Sequence, residues 1–332
     1  MLTYLEILIV GFYALIKGAD MFVDGSSAVA KRFKVPGAII GLTIVAMGTS
    51  APELAVSVTS AIKGSNELAI SNVLGSNLFN VLVVLGVCAL FHPVPVDSTI
   101  LKRDFPLNIF ATLAMLFAAP VGIKAIMAAG LENVKISDKV YDLGRIFGIG
   151  MLVLFIIYMV VLVMAARKNP TGSEEEDTGE PMPMGKTIFS IVFGAILIVS
   201  GGEAVVESAK NIAFSLGMSE TLVGLTIVAM GTSLPELVTS MVAAKKGEVD
   251  MAVGNVIGSS IFNIMLILGV SCTILPVGVN FASMCDIFIL LAVVIICFVY
   301  CLFGKKIGRV RGITMLLMYI GYVVFAYLRE VG

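Results

Sequence analysis

Long apolar stretches follow one another along almost the whole chain, and short polar or charged segments separate them. A transmembrane helix needs about 20 mostly apolar residues to cross the hydrocarbon core of a bilayer. By that measure the sequence predicts ten transmembrane helices, over residues 4–30, 36–62, 66–91, 101–119, 142–166, 186–214, 219–244, 249–275, 284–303 and 312–328. We therefore expect an all-α polytopic membrane protein.

The amino-acid composition agrees with this pattern and limits the kinds of binding partner that are expected. Of the 332 residues, 58% are hydrophobic and 14% are charged, whereas soluble domains are roughly half apolar and a quarter charged. The net charge of −1 gives no basic field for nucleic acid. The expected surroundings are the lipid bilayer, with no nucleic-acid partner and no obligatory protein partner.

The charges of the loops predict the orientation. An even number of spans places both termini on one side, and loops on the other side carry roughly twice as many Lys and Arg residues, as cytoplasmic loops do. Both termini are therefore expected to be external. The short cytoplasmic loop and the absence of a eukaryotic presequence favour a multi-pass protein of a prokaryotic plasma (inner) membrane.

Residues 169–185 interrupt the hydrophobic pattern near the middle of the chain. This segment, NPTGSEEEDTGEPMPMG, is rich in Pro, Gly and acidic residues, which is typical of a solvated tether. It predicts three parts: a first five-helix unit over residues 1–168, a cytoplasmic acidic linker over 169–185, and a second five-helix unit over 186–332.

The two units repeat each other in sequence. GLTIVAMGTS occurs at residues 41–50 and again at 224–233, that is, 183 residues later. The same displacement relates GSNLFN at 75–80 to GSSIFN at 258–263, without a gap. Because five is an odd number, two five-helix units must cross the membrane in opposite orientations. The sequence thus predicts two inverted repeats, an architecture that many secondary transporters share.

Each repeat carries a polar, helix-breaking segment inside an apolar span. Pro52 cannot donate a hydrogen bond to the carbonyl of Gly48, so we expect the helix to open and to leave carbonyls near Ala46 and Met47 free. Free backbone groups at membrane depth occur where they line a cavity. Glu53 adds an anion near the middle of the span, which is costly unless it is paired or liganded. The second repeat has the same elements around Glu236.

The spans that follow add neutral oxygen atoms. Ser76 and Asn80 are four residues apart, as are Ser259 and Asn263, so each pair shares one helix face. Both repeats together offer two carboxylates, two amides and six hydroxyls, the last from Thr49, Ser50, Ser76, Thr232, Ser233 and Ser259. Hard cations prefer such oxygen ligands, and calcium takes six to eight of them. The set predicts a cation site without His or thiolate ligands.

Four further acids fall towards the ends of their spans, namely Asp20 and Asp24 with their repeat counterparts Glu203 and Glu207. Snorkelling or capping accounts for them, and no ligand or gate role is expected. The five cysteines lie in apolar runs, and we expect neither a disulfide nor a zinc site.

At these residues the sequence resembles a known family. GTSAPE and GTSLPE, followed by GSNLFN and GSSIFN, are similar to the two α-repeats of the sodium/calcium exchanger family in the cation/calcium antiporter superfamily, prokaryotic type. The resemblance covers nearly the whole chain. It implies a transporter rather than an enzyme, with no cofactor, which exchanges calcium and sodium at overlapping sites while spans 1 and 6 slide across the rest.

The resemblance also implies a ligand set. It comprises the carboxylates of Glu53 and Glu236, the hydroxyls of Thr49, Ser50, Thr232, Ser233, Ser76 and Ser259, the amides of Asn80 and Asn263, and the carbonyls of Ala46 and Ala229. Some prokaryotic and potassium-dependent relatives carry Asp where this chain has Asn263, so the resemblance does not extend to potassium co-transport.

Two alternatives to a sodium/calcium antiporter with alternating access at a midplane site stay open. A calcium/proton antiporter also needs acids among oxygen ligands, although six hydroxyls and the amides favour sodium, because a proton needs no coordination shell. An intramembrane hydrolase would use Glu53 and Glu236 as an acidic dyad, but the predicted site offers neither His nor Lys.

Overall fold

A computed structural model of the protein describes residues 2–64, 66–118, 139–168, 182–217, 229–304 and 306–331. The helices are α1 Leu2–Phe33, α2 Gly37–Thr49, α3 Ala51–Ile62, α4 Asn66–Phe79 with its continuations Asn80–Val84 and Leu85–Phe91, α5 Phe105–Phe117, α6 Arg145–Lys168, α7 Met184–Ser215, α8 Ala229–Gly231, α9 Leu234–Lys245, α10 Val249–Ile274, α11 Phe281–Leu302 and α12 Arg309–Val331. The strands are β1 Val94–Pro95, β2 Lys139–Leu143, β3 Val277–Asn280 and β4 Lys306–Ile307.

The protein is a mostly helical, multi-pass membrane protein. Seven helices in the described part of the chain are long and apolar enough to cross a bilayer, and the bent pair α2–α3 makes an eighth. Of the other two predicted spans, 101–119 overlaps α5, and 219–244 is described only from residue 229 onward, where it contains α8 and α9. Most of the predicted linker over 169–185 lies outside the described residues.

Two short antiparallel ladders depart from the all-α expectation. β1 pairs with β4, and β2 pairs with β3. Residues 142–143 therefore belong to a strand, and the span expected from 142 begins at Arg145. Each ladder joins two loops that the predicted topology places on the same side of the membrane. The ladders were missed because two to five residues carry no recognisable alternation of apolar and polar positions.

The helices keep the spacing of the sequence repeat. α1 and α7 both contain 32 residues, and α3 and α9 both contain 12 residues and begin 183 residues apart. A wider, π-type turn begins within the last residues of the GSNLFN and GSSIFN segments, at Asn80–Val84 and Phe262–Leu268. Such turns in α-helices are frequent at functional sites.

Burial separates the central helices from the peripheral ones. α4 and α10 have 78% of their most apolar stretch buried within the protein, compared with 22% for α1, α6 and α12. The two helices that carry the predicted serine and asparagine ligands therefore form the centre of the bundle. Large apolar side chains such as Ile9 and Ile146 project from the peripheral helices, as expected of surfaces that face lipid.

α1 and α7 form a closely packed antiparallel pair. Gly11 of α1 lies against Gly201 of α7, and Gly18 lies against Gly194. A β-carbon on Gly18 would lie 2.7 Å from the Cβ atom of Leu197 and 2.8 Å from the carbonyl oxygen of Gly194. Small residues at these positions allow the two backbones to touch, which is a common mode of helix packing in membranes.

Candidate cation-binding site

The predicted helix break lies at Ser50, and its repeat counterpart at Ser233. α2 and α3 meet there at an angle of 51°, which confirms the predicted break. Ser50 has φ −83° and ψ 9°, and Ser233 has φ −95° and ψ 7°, so both residues leave the helical conformation in the same way. Glu53 and Glu236 consequently lie in the first turns of α3 and α9, where the helix dipole favours negative charge.

The two carboxylates are completely buried and are held by hydroxyls of the opposite half. The Ser50 hydroxyl donates to Glu236 Oε1 at 2.9 Å, and the Ser233 hydroxyl donates to Glu53 Oε1 at 3.2 Å. Ser259 also donates to Glu236 Oε1, at 3.5 Å. The breaks thus bring the two glutamates into one reciprocal arrangement that only the folded repeat pair creates.

Several buried polar atoms of this arrangement have no hydrogen-bond partner among the described residues. They are Glu53 Oε2, Glu236 Oε2, Asn263 Oδ1 and both amide atoms of Asn80. Buried polar atoms without partners are rare because each costs about 1–3 kcal/mol, and more when charged. A bound cation would satisfy the oxygen atoms and would neutralise the carboxylates.

The threonine hydroxyls link the breaks to the helices behind them. Thr49 Oγ1 donates towards Asn255 Oδ1 at 3.1 Å and lies 3.2 Å from the carbonyl oxygen of Val45. Thr232 Oγ1 donates towards Asn72 Oδ1 at 3.4 Å and lies 3.5 Å from the Ser76 hydroxyl. All six predicted hydroxyls therefore contact the same region between α2–α3, α4, α9 and α10.

The carbonyl of Ala46 is not free, contrary to the expectation. It accepts a hydrogen bond from the Ser50 N–H at 3.0 Å and lies 3.4 Å from the Thr49 hydroxyl. The reason is that Pro52 removes the donor for Gly48, two positions further along, and leaves the turn at Ala46 intact. Ala229 begins α8, directly after residues 218–228, which lie outside the described part of the chain.

Asn72 and Asn255 belong to the site although sequence reasoning did not include them. Asn72 Nδ2 donates to the Ser57 hydroxyl at 3.0 Å, and Asn255 Nδ2 donates to the Ser240 hydroxyl at 2.9 Å. Each asparagine accepts from the threonine of the other half, so each joins the two halves. Their identity across the repeat was visible in sequence, but a buried asparagine in a packed helix has the same pattern.

One part of the core differs between the halves. Asn77 Nδ2 donates to the carbonyl oxygen of Ser260 at 3.2 Å, and Asn263 Nδ2 donates to Asn77 Oδ1 at 2.9 Å. Residue 260 is the repeat counterpart of Asn77, and a serine cannot return these contacts to Asn80. Asn263 is therefore anchored by a neighbouring amide, while Asn80 has no such partner in the described part of the chain.

Fold and site together define a class: a multi-pass membrane protein whose two similar halves enclose buried carboxylates among hydroxyls and amides. The family model of the sodium/calcium exchanger protein matches residues 3–164 and 186–328. The putative antiporter CaxA of Alkalimonas amylolytica is 39% identical over 97% of this chain and 98% of its own length. The sodium/calcium exchanger MaX1 of Methanosarcina acetivorans is 33% identical over 97% of both chains.

Solved structures give the same result. The sodium-calcium exchanger NCX_Mj superimposes with a TM-score of 0.78 at 29% identity, over 98% of both chains. The chain belongs to the sodium/calcium exchanger family. This family consists of ion-transporting antiporters, which carry sodium and calcium ions and use no cofactor. It is a family of transporters and not of hydrolases.

Proposed function

We propose that this protein exchanges calcium for sodium by alternating access, and that both ions bind at the buried site between the halves. The single observation that supports this most directly is the reciprocal pair of bonds from Ser50 to Glu236 and from Ser233 to Glu53. It fixes one oxygen of each carboxylate and leaves the other without a hydrogen-bond partner among the residues that the structure describes.

The proposed ligands of calcium and sodium are those that the sequence indicated: Glu53, Glu236, Thr49, Ser50, Thr232, Ser233, Ser76, Ser259, Asn80, Asn263 and the carbonyls of Ala46 and Ala229. The Ala46 carbonyl can take part although it accepts from the Ser50 N–H, because its oxygen has a second lone pair. Two carboxylates balance the charge of one calcium ion or of two sodium ions. The surrounding hydroxyls and amides supply the neutral oxygens that complete a coordination shell of six to eight. Asn72 and Asn255 are proposed to position the threonine ligands.

The site is proposed to lie near the membrane midplane of ten helices arranged as two inverted five-helix units, 1–168 and 186–332, joined by a cytoplasmic linker over 169–185. Two separate family matches and the equal lengths of α1 and α7 and of α3 and α9 support two equivalent units. Both termini are proposed to be external and the membrane to be the prokaryotic plasma (inner) membrane.

Calcium-45 uptake into proteoliposomes tests this function. Vesicles loaded with sodium should accumulate calcium when diluted into sodium-free buffer, whereas potassium-loaded vesicles and vesicles with an acidic interior should not. Uptake driven by the proton gradient alone would favour a calcium/proton antiporter instead. Uptake that needs no opposing ion would indicate a channel and contradict antiport.

A further inference from the structure

An ion-paired cluster closes one end of the bundle. Lys246, the residue after α9, lies between two acids of α1, with its Nζ 2.6 Å from Asp20 Oδ1 and 2.6 Å from Asp24 Oδ1. Partial burial lowers the pKa of Lys246, but hydrogen bonds and the charges of the two acids outweigh burial and raise it. Lys246 is therefore a cation here. We call Lys246, Asp20 and Asp24 the first latch.

The repeat displacement carries this cluster onto Lys63, Glu203 and Glu207, which we call the second latch. Lys63 follows α3 as Lys246 follows α9. The backbone angles are alike, with φ −78° and ψ −4° at Lys63 and φ −81° and ψ 0° at Lys246. A glycine with positive φ follows each lysine. The sequence thus builds the same lysine-bearing turn twice.

The second latch is not engaged in this structure. Among the described residues Lys63 makes no ion pair, and Glu207 instead pairs with Lys210 of its own helix at 3.7 Å. Glu203 and Glu207 line a cavity of about 420 Å³ whose other walls include Pro52, Thr232 and Pro235. This cavity reaches the two helix breaks that carry the buried glutamates.

The two latches lie at opposite ends of the α1–α7 pair. Because these helices run antiparallel, the C-terminal half of α1 faces the N-terminal half of α7, as the contact of Gly25 with Ile191 demonstrates. Asp20 and Asp24 belong to that end, whereas Glu203 and Glu207 lie in the other half of α7. The protein is therefore latched at one end and open at the other.

We propose that the two latches close alternately, each locking one end of the α1–α7 pair, so that the site opens to the end whose latch is broken. This inference rests on the alternating-access exchange proposed above. α1 and α7 are in backbone contact along their length, so they move as one unit relative to α3 and α9, which hold the lysines. A displacement that separates the acids of α1 from Lys246 brings the acids of α7 towards Lys63. The gate would then be formed with the four acids for which the sequence predicted no gate role, namely Asp20, Asp24, Glu203 and Glu207.

The exposure of the latch suits this role. The side chains of Lys246, Asp20 and Asp24 are 29%, 37% and 50% exposed, and partly exposed ion pairs are weak. A weak latch biases the equilibrium between the two access states without preventing their exchange. Removing one latch should therefore shift the ratio of the states by roughly two- to fivefold.

Thiol labelling at two repeat-equivalent positions tests the proposal. Ala55→Cys places a thiol in the cavity of the open end, and Val238→Cys places its counterpart on α9 between Glu236 and the first latch. A membrane-impermeant maleimide is applied to each side of the membrane in separate experiments. The parent protein is labelled in the same way, which gives the background from its five native cysteines.

Lys246→Ala should increase labelling of the Val238→Cys protein and decrease labelling of the Ala55→Cys protein, each by roughly two- to fivefold. Lys63→Ala, the matched variant, should shift both in the opposite direction. Exchanging the charges with Lys246→Asp and Asp24→Lys should shift the ratio back towards the parental value, although the new acid at position 246 also faces Asp20, which pairs with Lys17 as well. Shifts in the same direction for both lysine variants, or no shift in either, would overturn the proposal.

The design separates this proposal from the proposed function, because labelling needs no transport. If sodium and calcium leave the labelling of the parental access states unchanged while the two lysine variants shift it in opposite directions, the exchange proposal fails and the latches stand. If the ions shift the labelling and the lysine variants do not, the latches fail and alternating access stands.

Discussion

Repeat-equivalent residues make equivalent contacts in the middle of the molecule but not at its two ends. In the middle, Ser50 contacts Glu236 as Ser233 contacts Glu53, and the two asparagines behind them make equivalent bonds. At the ends, equivalent charges have different partners, since Lys246 is ion-paired with Asp20 and Asp24 and Lys63 has no ion pair among the described residues. A site that serves both of the proposed access states can keep the same contacts in each, whereas the two proposed latches cannot be engaged together. Equivalent substitutions at the two glutamates and at the two asparagines behind them should therefore have equal effects, and equivalent substitutions at the ends should have opposite effects.

Neutralising either buried glutamate should have the largest effect on calcium exchange. Glu53→Gln and Glu236→Gln should each lower calcium exchange at least about a hundredfold, because a cation in the low-dielectric core loses half of its compensating charge. Glutamine also replaces one of two oxygens with an NH₂ group. Calcium-45 uptake measures the loss, and gel filtration verifies folding.

The exposed acid Glu6 of α1 provides the control for these variants. Glu6→Gln removes the same charge outside the core and should leave uptake unchanged. Full activity in either core variant contradicts the assignment. Loss of activity in only one of the two would contradict the equivalence of the halves.

The close packing of α1 against α7 should make the stability of the protein sensitive to any enlargement of the glycines between them. Gly18→Ala should destabilise the protein by about 1–3 kcal/mol, because the added methyl group meets backbone and Cβ atoms within 2.8 Å. Gly201→Ala should have a similar effect, since its methyl group would lie 2.6 Å from the Leu15 nitrogen. Thermal unfolding in detergent measures both. Gly150→Ala on α6 should not lower the midpoint, because no described atom beyond its own stretch of helix lies within 4 Å of the added methyl group.

The two bridging asparagines should show a smaller but equal effect. Asn72→Ala and Asn255→Ala each remove hydrogen bonds that hold a threonine of the opposite half, and one buried bond is worth about 1 kcal/mol. We expect the half-saturating calcium concentration to rise by roughly five- to tenfold in each. Ser215→Ala, which loses only a bond within its own helix, should not change it. A lowered maximal rate with unchanged calcium affinity would argue against a positioning role.

Much of the site could be predicted because the sequence repeats it. The break at Ser50, the burial of Glu53 and Glu236, and the gathering of the six hydroxyls all follow from local chemistry that occurs twice. What could not be predicted is which of the two glutamates each hydroxyl contacts. The bond from Ser50 to Glu236 spans 186 residues, and a local pattern carries no information about such pairing.

The latches escaped prediction for a different physical reason. Asp20 and Glu203 occupy equivalent positions in sequence, and both lie near span ends, where a charge can simply reach solvent. Their roles differ only through the conformation of the bundle. In the proposed alternation the sequence encodes both arrangements, whereas one structure distinguishes the ion-paired Lys246 from Lys63, which has no ion pair in the described part of the chain.

The asparagine pair deep in the core gives the smallest and most discriminating test. Asn263 donates to Asn77 Oδ1, and the Asn77 amide is already committed to the carbonyl of Ser260. In Asn263→Asp a carboxylate oxygen would face Asn77 Oδ1, and a cation or a proton must separate the two oxygens. In Asn80→Asp no such bond is lost, because neither amide atom of Asn80 has a partner among the described residues.

We therefore expect the unmodified protein to need no potassium, and Asn263→Asp to acquire a dependence of exchange on a second monovalent cation. The rate should change by roughly two- to fivefold between potassium-free and potassium-containing buffer, since one added charge is partly compensated by a bound ion. Asn80→Asp should change less, because its position lacks the opposing amide oxygen that recruits the ion. Uptake is measured at constant sodium and pH. Equal responses of the two variants would indicate that the difference between Asn77 and Ser260 does not influence cation binding. Strict potassium dependence of the unmodified protein would contradict the prediction directly.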